Sequence, residues 1–151
     1  MSYRDLPDDL RSHALTQGSI RGDVVDLILG IDERRAGALG IMVCNDDDCG
    51  VQPVVLGDLA DGAGTGPLGT VLDMLLPMVG QERGAVLVAR GRRASTVPTD
   101  EDRAWHQVTL DACSRHQVRL LGFYVATPSG VQELPAPRGA VVEGPSPELW
   151  R

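Results

Sequence analysis

The 151-residue sequence contains no lysine: all fourteen of its basic residues are arginine. This excludes any chemistry built on a lysine base or Schiff base, and every cationic role falls to a side chain that keeps its proton. Aromatic residues are nearly as scarce, with two Trp, two Tyr and one Phe, so Leu, Val, Ile and Ala must fill the core. The cysteines, Cys44, Cys49 and Cys113, are odd in number. An odd count fits reduced thiols in a reducing compartment better than a disulfide framework, with an isolated Cys44–Cys49 bridge as the disfavoured alternative. No apolar run approaches the roughly 18 residues of a membrane span, and Met1-Ser2-Tyr3-Arg4-Asp5 lacks the basic-then-apolar order of a signal peptide. The expected location is the cytoplasm.

What is present is an acidic chain rich in Gly and Pro. Asp and Glu number 21 against 14 Arg, for a formal charge of −7. That sign repels phosphate backbones and anionic head groups, so neither nucleic acid nor a membrane surface is an expected partner. A chain of this size buries roughly two thirds of its unfolded surface and needs no disulfide or structural metal. The expected organisation is one domain over residues 1–135 and a Pro-rich extended tail over 136–151.

Hydrophobic spacing supplies the elements. A short helix is expected over Leu6–Thr16 and an amphipathic one over Ser19–Gly30, with Ser19 as its N-cap and Ile20, Val24, Leu27 and Ile28 on one face. Apolar runs at Ala38–Cys44 and Val51–Leu56 flank the polar turn Asn45-Asp46-Asp47-Asp48 and predict a hairpin. Asp61–Gly66 is a Gly-rich connector, and Leu68–Val79 carries a broad apolar face suited to a buried-side helix. Gly84–Ala89 fits a strand buried on both faces, followed by a basic loop over Arg90–Val97. Thr99, three acidic residues and the stripe begun by Trp105 predict a capped helix to about His116. Val118–Thr127 and Val131–Leu134 flank a Pro-Ser-Gly turn as a last strand pair, in which Phe123 and Tyr124 point to opposite faces and one is free to reach a partner. The pattern predicts an α/β fold in three α-β-α layers around a mixed sheet of about five strands.

No catalytic motif accompanies this pattern. There is no His-Glu-x-x-His, no phosphate loop, no nucleophile elbow and no deaminase His-x-Glu with Pro-Cys-x-x-Cys. Cys44, three aspartates and Cys49 have zinc-compatible spacing, but no second Cys or His pair is near them in sequence, so a solvated hairpin tip is the expected reading. His106, Cys113 and His116 are expected to be surface or packing residues of one helix. Arg90, Arg92 and Arg93 form the basic cluster of an acidic chain, ahead of a helix N-terminus. They are candidates to bind an anion or a partner. Weak surface pairing with Asp100, Glu101 and Asp102 is the plainer alternative.

Four segments carry a likeness: Gly50-Val51-Gln52-Pro53-Val54-Val55-Leu56-Gly57, Val86-Leu87-Val88-Ala89-Arg90-Gly91-Arg92, Pro98-Thr99-Asp100-Glu101-Asp102 and Val118-Arg119-Leu120-Leu121. Over roughly residues 37–134 the chain resembles the RadC-like branch of the JAB/MPN metallopeptidase-like domains, whose element order is shared with cytidine-deaminase-like proteins. The resemblance implies a zinc held by two His and an Asp, with a Glu to move the proton of the activated water. Here Gln52 stands for the Glu, and Arg90 and Arg92 stand for the two His, while Thr99 and Asp102 remain. A guanidinium has no lone pair for a metal, and an amide shuttles no proton. The implied product is a degenerate, catalytically inactive domain without metal or cofactor, serving as a protein-binding or assembly module through a protein partner or a homodimer. The alternatives are a zinc-dependent hydrolase or deaminase with rearranged ligands Cys44, Cys49, His106 and Asp102, and a DNA-repair-associated contact through Arg90–Arg93.

Overall fold

The computed structural model describes residues 14–15, 18–59 and 64–135. In chain order these form α1 (Gly18–Ile28), α2 (Ile31–Ala36), β1 (Ala38–Cys44), β2 (Gly50–Leu56), α3 (Gly66–Gln81), β3 (Ala85–Gly91), α4 (Asp100–His116), β4 (Arg119–Thr127) and β5 (Gly130–Leu134). The sheet order is β2-β1-β3-β4-β5. β1 runs antiparallel to both its neighbours, β3 and β4 are parallel across the α4 crossover, and β5 returns antiparallel. This is an open, mixed five-stranded sheet between two helical layers.

Side-chain alternation along the strands splits the core in two. Leu39 and Ile41 of β1, Val86 and Val88 of β3, and Phe123 and Val125 of β4 face α3 and α4, meeting Leu68, Leu72, Leu76 and Trp105. Met42, Cys44, Leu87, Ala89 and Tyr124 face the other way, onto Val24, Val25 and Leu29. β3 is buried at all seven positions because it has a strand on each side and a helix layer on each face. Gly80 permits the close passage of α3 over α4, since a Cβ there would lie 2.3 Å from the His116 carbonyl oxygen.

Several expectations change. α1 begins at Gly18, so Ser19 lies inside it rather than at its cap. α2 gave no periodic signal, being only six residues long. Of Leu6–Thr16, only Ala14 and Leu15 are described: Ala14 bridges Cys49 antiparallel, and the Leu15 amide donates to the Asp48 carbonyl at 2.8 Å, so this end is not helical. Arg90 and Gly91 belong to β3 rather than to a loop, because they pair with β1 and β4. Phe123 and Tyr124 do take opposite faces, but both are buried and neither reaches a partner surface. The tail at 136–151 lies outside the described residues.

Candidate functional site

β3 and β4 are parallel, and their carboxyl ends meet the start of α4, the place where open α/β sheets gather functional groups. The register puts Arg90 on the α4 side of the sheet, level with Val125 of β4 and Leu39 of β1. Asp102 projects from the first turn of α4, which Thr99 caps. The Asp102 amide donates to Thr99 Oγ1 at 3.1 Å and the Thr99 amide donates to Asp102 Oδ2 at 2.9 Å, a reciprocal capping box.

The Asp102 side chain is fully buried between two guanidinium groups. Arg90 Nη1 donates to Oδ1 at 2.8 Å, Arg92 Nε donates to Oδ1 at 2.9 Å and Arg92 Nη2 donates to Oδ2 at 2.6 Å. The remaining donors of Arg92 go to the carbonyls of Arg93, Ser95 and Val97 at 2.8, 2.8 and 3.0 Å. All five of its N–H groups are thereby used, and the loop after β3 is moulded around it. Arg90 also pairs with Glu101 at 2.9 Å and lies over the Trp105 ring, 4.9 Å from its centroid. Two cations face two anions, so the cluster closes on itself. Burial alone would raise the Asp102 carboxyl, but hydrogen bonds from Arg92, the Thr99 amide and Arg90, with the charge of Arg92, outweigh it and hold it below its usual value.

Weak surface pairing is therefore corrected to a buried network: Arg90 and Arg92 are 5% and 6% exposed, and Asp100 pairs with Arg103 instead. Arg90 and Arg92 are committed inside the chain. Arg93 alone of the three is exposed, its Nε donating to the Arg35 carbonyl at 2.8 Å. Gln52 is placed elsewhere. On β2 the residue level with Arg90 is Leu56, four positions further on, which separates Gln52 from the cluster by about 13 Å along the strands. The Gln52 amide donates to the neighbouring Pro53 carbonyl at 2.9 Å.

No family model, curated protein or solved structure matches the chain. The geometry of its own residues therefore carries the functional argument.

The rearranged ligand set does not assemble. Cys44 belongs to the α1 side of the sheet, while His106 and Asp102 lie on α4 across it. Among the described residues no three of His, Cys, Asp and Glu come together as a metal site. Burial pushes the Cys44 and Cys113 thiols up to about 12, so neither is a ready thiolate. His106 is a packing residue, stacked on Phe123 with ring centroids 5.0 Å apart, and burial lowers its pKa against the opposing charge of Glu133. His116 instead approaches Asp73 on α3 at the end of α4. The hairpin tip is not wholly solvated: Asp48 is ion-paired to Arg119, which also donates to the Arg83 carbonyl at 2.8 Å.

Residues that sequence reasoning passed over complete the scaffold. Arg34 is 3% exposed and donates to the carbonyls of Leu29 and Thr127, at 2.7 and 3.0 Å, and to Asp26, tying α2 to the end of β4. Arg21 donates to the Tyr124 hydroxyl at 3.2 Å. Nothing in the local pattern of charges distinguishes these from solvated arginines. Among the described residues no helix is long and apolar enough to cross a membrane.

Proposed function

We propose that the chain is a non-catalytic, metal-free domain of RadC/JAB-like build that works in the cytoplasm as a protein-binding or assembly module. The observation that carries this reading is the occupation of the Asp102 carboxylate by the guanidinium groups of Arg90 and Arg92. In the family it resembles, those two positions supply imidazoles to zinc. Here they supply the positive charge themselves, both oxygens of Asp102 are consumed, and no lone pair is left for a cation. The order of helices and strands is compatible with this reading, and Gln52, an amide that moves no proton, stands outside the cluster. Support for a binding role comes from the surface: Met74 and Met78 of α3 and Val51 and Val55 of β2 are large apolar side chains left 44–75% exposed.

Metal content and turnover test the reading together. Untagged protein purified without chelators, then incubated with zinc and desalted, is expected to retain far less than one zinc per chain and to hydrolyse neither peptide nor isopeptide substrates. Stoichiometric zinc, or turnover that disappears in a folded Asp102→Asn variant, would overturn it.

A further inference from the structure

Every arginine among the described residues is ion-paired to a carboxylate except Arg35, Arg83 and Arg93. In a chain with seven negative charges in excess, a guanidinium left without a carboxylate is unusual in itself. Two of the three stand side by side, although they are 58 residues apart in sequence, because Arg93 Nε donates to the backbone carbonyl of Arg35 at 2.8 Å. Both side chains are exposed. Asp32, one helical turn back on α2, makes no ion pair with Arg35.

The pair is held in place from beneath. Arg34 anchors α2 to Leu29 and Thr127, which fixes the backbone of Arg35. The Arg93 carbonyl accepts from buried Arg92, and Ala94 is held at φ +74 in the left-handed region as the loop curls around that guanidinium. The Val97 carbonyl accepts from the same guanidinium, so the backbones of Arg93 and Val97 meet at Arg92, and the Val97 side chain is 68% exposed on that loop. The surface combines two unpaired cations with one apolar side chain on a pre-organised loop, which lowers the ordering cost of a contact.

We infer that Arg35 and Arg93, with Val97 beside them, form a docking surface for an acidic segment of a protein partner, a carboxylate flanked by an apolar residue. This rests on the binding-module reading and names the partner's chemistry. Planar guanidinium groups match carboxylates in two-point geometry. A cavity of about 410 Å³ between α1 and β5 is lined by residues such as Asp23, Tyr124 and Glu133, and one of about 300 Å³ by Asp26, Gly30 and Glu33; each is lined by carboxylates and includes neither arginine of the pair. A nucleic-acid strand would have to cross the surrounding acidic surface, and its charge disfavours that path.

The test follows arginine Nε–H and Val97 methyl resonances while the acetylated, amidated peptide Glu-Leu-Glu-Leu is added to the full chain. Saturable shifts are expected at Arg35, Arg93 and Val97, with none from Gln-Leu-Gln-Leu. Arg35→Gln keeps the backbone carbonyl that Arg93 holds, and with Arg93→Gln it is expected to weaken the peptide about tenfold. Arg83→Gln, at the third unpaired arginine, should change nothing. Equal binding of the Gln peptide, an equal loss in Arg83→Gln, shifts with inorganic phosphate but not with the peptide, or no shift at the pair would each overturn the inference. Zinc uptake or turnover would sink the proposed function while leaving this titration untouched, so the two failures are separable.

Discussion

A guanidinium carries five N–H donors in a rigid plane, and Arg92 spends all five on atoms of its own chain. A lysine could not take this place, because an ammonium has three donors and no plane with which to hold a carboxylate and a loop together. Arg92→Lys is expected to destabilise the fold by roughly 1–3 kcal/mol through the lost hydrogen bonds to partly buried loop carbonyls and the weaker hold on buried Asp102. Asp102→Ala, which leaves buried Arg92 without its counter-charge and Arg90 with Glu101 alone, should cost about 3–5 kcal/mol, and urea denaturation measures both. His106 gives a separate pH signature. Burial lowers its pKa in the fold from the ordinary 6.5, so the unfolded chain takes up the proton first. Stability is full above that value and falls as pH drops through 6.5 toward the lowered one. A series of Tm measurements from about pH 8 to 5 should show the decline, and His106→Phe should flatten it. The depressed Asp102 carboxyl acts in a lower window: its contribution is present above the unfolded value of about 3.9 and is lost as pH falls through the folded one.

Among the elements, α4 was the most legible, since Thr99, the acids that follow it and the stripe from Trp105 to Ala112 all act locally, and the helix runs Asp100–His116 as expected. Its cap is also part of the cluster, because Thr99 holds the carboxylate that the arginines meet. Thr99→Ala should cost about 1–2 kcal/mol and Thr99→Ser far less, by the same denaturation measurement. β1 and β3 were legible as apolar runs, but where β3 ends was not. Gly91 and Arg90 look like loop residues, and only pairing with Ala38, Leu39, Val125 and Ala126 makes them strand. α3 offers a test with an inverted sign. Gly→Ala inside a helix ordinarily stabilises by about 0.5–1 kcal/mol, yet Gly80→Ala would drive a Cβ to 2.3 Å from the His116 carbonyl oxygen. It is expected to lower Tm, and a higher Tm would show that α3 and α4 pack less closely than described.

For the whole molecule, the three cysteines report on the layering. Cys44 and Cys113 lie in different halves of the core, one on each side of the sheet, and burial pushes both thiols up to about 12. Cys49, partly exposed at the start of the β2 side of the hairpin, is the one expected to react with a neutral aromatic disulfide in the native protein, and all three should react in denaturant. Reaction of a second thiol before unfolding would mean that one layer opens alone. By itself the sequence determined the α/β class, the element order from Ser19 onward except for the short α2, the capped helix α4 and the poor prospects for metal chemistry at Arg90 and Arg92. These follow from local propensity, periodicity and the chemistry of single side chains, none of which needs a distant partner. Only the tertiary structure decided that Arg90 and Arg92 close on Asp102, that Gln52 stands apart, that Arg34 is buried and that Arg35 lies against Arg93. Each of these depends on strand register and on contacts between residues far apart in sequence. A run of charges records no sign of which guanidinium the fold will take inside and which it will leave in water.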